Sequence, residues 1–252
     1  ETISIIVPAF NEEDAIRVGL DKIIADKYHE KYEVIYVNDG STDTTWPAIL
    51  AQSQNNPEIK AVNLARNFGH QIALTAGLSL CTGMCTLIID ADLQDPPELL
   101  PDMIAKMKEE EADIVYGQRI SRKGESWFKK ASAALFYRIL GLLTRNPIPY
   151  DAGDFRLISR RVVDILNKMP EQDRFLRGMT GWIGLKQIPF PYERQQRVAG
   201  KTKYPLRKML HFAVDAITGS SILPLRLAAY FGAAFGIASL SMLAYVLYAW
   251  LM

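Results

Sequence analysis

The stretch from Leu87 to Glu98 reads LIIDADLQDPPE and carries an apolar run directly into aspartates at 90, 92 and 95, with a glutamine at 94. Carboxylates this close repel one another, and burying them without a counter-charge is costly, so a cation belongs among them. In Asp90-Ala91-Asp92-Leu93-Gln94 the oxygen donors alternate, and an extended conformation would turn all three to one side. Hard oxygen ligands of this kind suit Mg2+ or Mn2+, which take few protein ligands and complete their shells with phosphate and water. Prolines at 96 and 97 then open a helix. A helix dipole alone would account for Asp95 and Glu98 but not for Asp90 and Asp92. A divalent metal holding a diphosphate is the expected occupant.

Two further polar motifs share that setting. PAFNE (Pro8–Glu12) follows the apolar run Ile3–Val7, and NDGSTD (Asn38–Asp43) follows the run Tyr32–Asn38. Each is also good turn and N-cap chemistry, with Ser41 or Thr42 as the cap. The elements around them alternate. Ile3–Val7, Tyr32–Asn38, Ile59–Asn63, Thr86–Ile89 and Asp113–Tyr116 read as strands; helical patterns fall at Ile16–Ile24, Thr42–Gln54, His70–Leu80 and Leu100–Met107. Such alternation predicts an α/β fold with a mainly parallel sheet and flanking helices. Ligands of these sheets bind at the carboxyl ends of strands, so the three motifs are expected on one rim.

With 252 residues, 49% of them apolar, the chain can build a full-sized core. A net charge of +1 argues nothing by itself, but basic residues crowd into Arg119–Lys130 and Arg194–Lys208. The two cysteines, Cys81 and Cys85, have no partner at metal-ligand spacing and read as buried thiols of a reducing compartment. From Leu227 to Met252 run 26 residues without a charge. As a helix at ~1.5 Å per residue they reach about 39 Å, beyond a hydrocarbon core of ~30 Å. Lys201, Lys203, Arg207, Lys208 and Arg226 precede this span and put the preceding domain on the cytoplasmic side. The expectation is an integral membrane protein with a catalytic domain over 1–205, an amphipathic juxtamembrane helix over 206–224 and a transmembrane helix over 225–252. No signal-peptide pattern opens the chain, and the stop directly after the span reads as a truncation.

PAFNE, NDGSTD, RNFGHQ (Arg66–Gln71), DADLQDPPE and RVAGKTKY (Arg197–Tyr204) together resemble the inverting family 2 glycosyltransferases of GT-A fold. Within them the chain is most similar to the polyprenyl-phosphate group, which includes bactoprenol glucosyltransferases and dolichol-phosphate mannose synthases. The resemblance implies that Pro8, Phe10, Glu12, Val37 and Asp39 line the nucleoside pocket, Asp39 facing the base. It implies that Asp90 and Ala91 contact the nucleotide sugar, while Asp92 and Gln94, with Asp90 as a further candidate, hold the metal. Arg197 and Lys203 would close over donor or acceptor phosphates. Phe10, commonly tyrosine in the mannose synthases, keeps a stacking face but lacks the hydroxyl.

The nucleophile under this resemblance is a lipid phosphate, largely ionised at neutral pH because its second pKa is near ~6. Charge neutralisation and in-line positioning are then the harder tasks. Arg119, Lys129, Lys130 and Arg156 are the candidates for the acceptor phosphate, with Arg122 and Lys123 nearby and an apolar helix from Trp127 to Leu143 facing lipid or core. Asp154 is expected near sugar and acceptor, as a base or as a holder of a sugar hydroxyl, oriented by Arg156; a plain Asp–Arg structural pair is the simpler account. Asp154, Asp92 and Arg119 make up the expected catalytic set. Arg194–Lys208, with Gly200, reads as a loop that orders over diphosphate. Leu206, Met209, Leu210, Ala213 and Ile217 form one apolar stripe beside Arg207, Lys208 and His211, an interfacial helix.

The preferred reaction moves glucose from UDP-glucose onto polyprenyl phosphate; GDP-mannose to dolichyl phosphate is the close alternative. A processive synthase would carry a Gln-x-x-Arg-Trp signature, and Arg177–Trp182 reads RGMTGW instead. No motif for reading nucleic-acid bases accompanies the basic runs. His29, His70 and His211 are scattered and are assigned no catalytic role, His70 reading as a structural residue or a helix cap. Gly232 and Gly236 give a spacing that packs helices, compatible with a homo-oligomer.

Overall fold

The structure, a computed structural model, describes residues 2–18, 31–120, 152–172, 174–194 and 223–252. Its strands are β1 (Ile3–Ala9), β2 (Tyr32–Asn38), β3 (Ile59–Asn63), β4 (Cys85–Ile88), β5 (Ile114–Arg119), β6 (Ala152–Ser159) and β7 (Gln187–Tyr192). Its helices are α1 (Glu13–Val18), α2 (Thr45–Asn55), α3 (His70–Leu80), α4 (Leu100–Glu109), α5 (Arg160–Lys168), α6 (Leu176–Ile183) and α7 (Leu223–Leu251). Residues 129, 130, 197 and 203, the 127–143 helix and the 206–222 stretch lie outside the described residues, as does most of the helix expected up to Ile24.

One sheet takes the order β3-β2-β1-β4-β6-β5-β7. All neighbours are parallel except β6, which runs antiparallel to both β4 and β5. β1 is buried along its whole length, which is why it is apolar at nearly every position instead of alternating. Successive side chains still divide between two faces. Ile5, Val7, Tyr36 and Leu87 pack with Ile49 of α2 and Met103 of α4; Ile6, Ile35, Val37 and Ile88 pack with Leu74 of α3, Val162 of α5 and Met179 of α6. α3 lies close on the sheet, since a Cβ at Gly77 would stand 2.4 Å from Ile6 Cγ2.

The chain leaves β1 toward β2 and β3, then crosses back to β4 on the other side of β1. The switch of direction opens a crevice at the carboxyl ends of β1 and β4. Because β6 is reversed, its first residues reach the same rim as the last residues of β1, β2, β4, β5 and β7. The amino ends of β1 and β2 are held by a separate network. Glu33 accepts hydrogen bonds from Ser4 Oγ (2.5 Å), Thr82 N (2.6 Å) and Lys60 Nζ (2.5 Å), and Ser4 Oγ accepts from Gly83 N (2.8 Å).

α7 contains a stretch, Leu225–Leu251, that is long and apolar enough to cross a membrane, and none of it is buried in the structure. Cys81 and Cys85 are free thiols, Cys81 buried.

Burial opposes ionisation of Glu33, but the hydrogen bonds from Lys60, Ser4 and Thr82 outweigh it and bring its pKa down to about 2 from the ordinary 4.5. Its stabilisation is therefore full above about pH 4.5 and is lost as the pH falls through about 2. Glu33→Gln is expected to lower unfolding stability by about 1–3 kcal/mol at neutral pH. In urea titrations the gap to the unsubstituted chain should narrow steadily in the acid range; a gap that does not depend on pH would contradict the account.

Candidate active site

The loops after β1, β2 and β3 are tied together before any ligand arrives. Asn11 takes a left-handed conformation (φ 54°), which lets its amide donate to Ser41 Oγ (3.0 Å) while its side-chain oxygen accepts from Thr42 N (2.8 Å). Glu12 N donates to Thr45 Oγ1 at 2.9 Å. Asp39 is buried, and both its carboxylate oxygens are engaged: Oδ1 accepts from Phe68 N (2.7 Å) and Oδ2 from Gly69 N (2.9 Å). Thus Asp39 anchors the RNFG loop. Gly40 (φ 63°) lies so close beneath it that a Cβ would stand 2.3 Å from Arg66 C. Phe68, 43% exposed, carries the Arg66 guanidinium 4.1 Å above its ring.

Pro8 and Phe10 lie at the end of β1 on this rim, Phe10 partly accessible. Val37 departs from expectation. It is 0% exposed and belongs to the core, packed beneath α3.

The acidic turn also differs from its sequence reading. β4 ends at Ile88, and Leu93 adopts φ 56°, so the chain turns instead of continuing extended. Asp90, Asp92 and Gln94 are not aligned by strand alternation. Asp92 Oδ1 accepts from the backbone of Gln94 (3.1 Å), and Asp92 Oδ2 lies 3.8 Å from Arg194. Asp95, 1% exposed, accepts from Tyr192 OH (2.5 Å) and Arg194 Nε (3.1 Å), leaving Oδ2 buried without a hydrogen bond. Arg119 closes this group: its side chain lies against Gly153, and its Nε is buried with no acceptor.

Asp154 stands across the crevice at the start of β6. Arg177 of α6 grips it with two hydrogen bonds, Nε to Oδ1 (2.8 Å) and Nη2 to Oδ2 (2.9 Å). His70, the first residue of α3, places Nε2 3.1 Å from Asp154 Oδ2 and 3.7 Å from Asp90 Oδ1. Sequence reading set His70 aside and overlooked Arg177; among the described residues these two bond the Asp154 carboxylate. Arg156, expected to orient Asp154 and to meet the acceptor phosphate, is 4% exposed and donates to Thr180 Oγ1 (2.9 Å) and Gly153 O (3.0 Å). It shares Asp154's face of β6 but is turned into the fold.

The charges follow from these contacts. Burial alone would raise the pKa of Asp154, yet the charge and hydrogen bonds of Arg177, with those of His70, hold it well below the ordinary carboxylate range. Burial opposes the charged form of His70, but the Asp154 hydrogen bond and the nearby carboxylates push it up to about 9. Burial, reinforced by Asp154, Asp95 and Asp92 against the pull of His70, raises Asp90 to about 6. Three carboxylates thus crowd Asp90, and a cation placed beside it would relieve that repulsion. Among the described residues no group of three His, Cys, Asp or Glu is arranged to hold an ion alone. The donor set fits a cation that draws the rest of its shell from diphosphate and water, with Asp92, Asp90 and Gln94 as the oxygen donors.

Gly40→Ala tests whether the loop packing builds the site. The added methyl meets backbone in a left-handed conformation, so unfolding stability should drop by about 2–4 kcal/mol. Sugar-nucleotide affinity, read by calorimetry on protein still folded, should fall with it.

Comparison with known proteins places this geometry. The family model for glycosyl transferase family 2 matches residues 4–166. An uncharacterized glycosyltransferase of Bacillus subtilis (strain 168), YkcC, is 47% identical over 231 residues, covering 91% of this chain and 71% of that protein. A prophage bactoprenol glucosyl transferase homolog of Escherichia coli (strain K12) is 38% identical over 232 residues, covering 91% of this chain and 76% of that protein. In structure, the mannosyltransferase PcManGT from Pyrobaculum calidifontis, solved with GDP-Man and Mn2+, superposes with a TM-score of 0.54 at 19% identity, over 93% of this chain and 80% of its own. The fold is GT-A-like, and the chain belongs to glycosyl transferase family 2.

Proposed function

We propose that the chain transfers a single sugar, glucose from UDP-glucose in the first instance, onto a polyprenyl phosphate with inversion at the anomeric carbon. The observation that carries this reading is the meeting, on one rim, of the acidic turn after β4 with Arg119 and the Asp154 cluster. Similarity to relatives named bactoprenol glucosyl transferase supports the lipid acceptor.

In this reading the nucleoside lies between Phe10, Pro8 and Glu12 on one side and the Asp39-anchored loop on the other. The diphosphate faces Asp92 and Gln94, with Asp90 and Ala91 beside the sugar. A divalent cation, Mg2+ or Mn2+, bound there supplies Lewis-acid stabilisation of the departing diphosphate. The GDP-Man and Mn2+ of the mannosyltransferase neighbour agree with this requirement. Arg119, with Lys129 and Lys130, receives the acceptor phosphate, and Arg197 and Lys203 close over the donor. Asp154 is ionised and already paired, which suits a fixed hydrogen-bond acceptor for a sugar hydroxyl better than a proton acceptor. An ionised lipid phosphate needs little help from a base.

α7 serves as a membrane anchor in this proposal. The basic residues before it keep the catalytic domain on the cytoplasmic face of a bacterial inner membrane. Gly232 and Gly236, where an added Cβ would meet nothing within 4 Å, leave a surface on which α7 can pack against a second copy.

The test is to incubate purified protein with Mn2+ or Mg2+, polyprenyl phosphate, and labelled UDP-glucose or GDP-mannose in separate tubes. Label is expected in the organic phase from UDP-glucose, and lost with EDTA. Label from GDP-mannose alone would replace the donor, and no lipid label from either would overturn the acceptor. Asp92→Ala should keep its circular dichroism and thermal midpoint. Removing several kcal/mol of transition-state stabilisation should cost it about 100-fold or more in turnover. Full activity in that variant would remove Asp92 from the metal site.

A further inference from the structure

We infer that Arg177 is a positioning residue for the transfer reaction, fixing Asp154 in the one orientation that presents it to the sugar. The inference rests on the reading above that Asp154 works on the bound sugar.

Two guanidinium groups share the face of the sheet where Asp154 stands, and the structure divides their work. Arg156, two residues along the same strand, is the nearer in sequence, yet its hydrogen bonds go to Thr180 Oγ1 and Gly153 O, which join α6 to the start of β6. Among the described residues Arg177 alone forms a two-pronged pair with the carboxylate, at 2.8 and 2.9 Å. A fork of this kind fixes the plane of the carboxylate as well as its position, which a single contact does not. Oδ2 also meets His70, so the oxygen lone pairs that remain have defined directions.

Arg177 is itself held at several points. Leu176 N donates to Gln71 Oε1 (3.0 Å), tying the first turn of α6 to the first turn of α3, next to His70. Thr180 Oγ1 donates to Arg177 O (3.1 Å) and accepts from Arg156. The carboxylate, its two partners and the helices that bear them thus form one connected unit. Its side chains are not sealed in a core: Arg177 is 22% exposed and His70 31%, beside the Asp90 turn that His70 also approaches. A pair with only a folding role gains nothing from that exposure.

The experiment measures kcat and KM for Arg177→Ala, Arg177→Lys, Asp154→Asn and the Arg177→Ala/Asp154→Asn pair, with thermal midpoints for each. Misplacing one reacting group costs about 100-fold, so Arg177→Ala should lose about that much in kcat with KM for the sugar nucleotide held. Arg177→Lys keeps the charge but not the fork and should keep its midpoint while still losing most of kcat. The double variant should be no slower than the slower single one, because the two residues act as a unit. Free guanidinium ion should restore part of the Arg177→Ala rate and none of the Asp154→Asn rate. Losses that multiply, a loss confined to KM, or a fully active Arg177→Lys would overturn the inference. Should the unsubstituted protein label no lipid, the acceptor reading fails by itself. The same variants are then scored on metal-dependent hydrolysis of the sugar nucleotide, with the same outcomes deciding.

Discussion

Asp92, Asp95 and Asp154 stand close enough to Asp90 at one rim of the sheet that each raises the cost of ionising it. Much of the local structure answers that repulsion. Arg194 reaches toward Asp92 and bonds Asp95, Tyr192 donates to Asp95, and His70 stands between Asp90 and Asp154. These partners come from the end of β7 and the start of α3, elements far apart in the chain. Asp90 is nonetheless left crowded by like charge, and that crowding is what a cation bound with a phosphate-rich ligand would relieve.

The reversed strand β6 makes the arrangement possible. Had it run parallel to β4, its first residues would lie at the opposite rim of the sheet. Asp154 would then be a full strand length from the acidic turn. Antiparallel pairing with both β4 and β5 brings Gly153 against Arg119 and, one residue on, Asp154 opposite His70. The two rims consequently divide their roles. Glu33 with its four donors holds the strand starts by satisfied hydrogen bonds, whereas the other rim keeps buried polar atoms, Asp95 Oδ2 and Arg119 Nε, without partners.

The first five strands are legible because each is a short apolar run that ends in turn residues, and the common location of PAFNE, NDGSTD and DADLQD follows from strand direction alone. β7 hides because QIPFPY holds two prolines. It is an edge strand, and Pro189 and Pro191 fall two apart, so both can turn their missing N–H groups away from β5. α6 hides behind Gly178 and Gly181, poor helix formers in a short segment. α5 left a signal that goes unread without its context: Ser159 caps it, and Val162, Val163 and Leu166 fill one face. Arg177 has no local signature, since its partner lies in another element and neither residue's neighbours in sequence betray the contact. The turn at Leu93 and the burial of Val37 were open to the wrong inference for one reason. Alternation tells which side a residue takes only while the strand lasts and only if the covering layer is known.

α3 rests its Gly77 backbone on the Ile6 side chain of β1, and the same helix begins with His70 in the crevice. A rod pressed against a flat support cannot be shortened or tilted at one end without lifting the other. The spacing between His70 and Asp154 is in that sense set two turns away, by the clearance between a glycine and the Ile6 methyl. Bulk introduced at the middle of the helix would act as a fulcrum, reaching the chemistry as a change of distance without altering any residue that takes part in it.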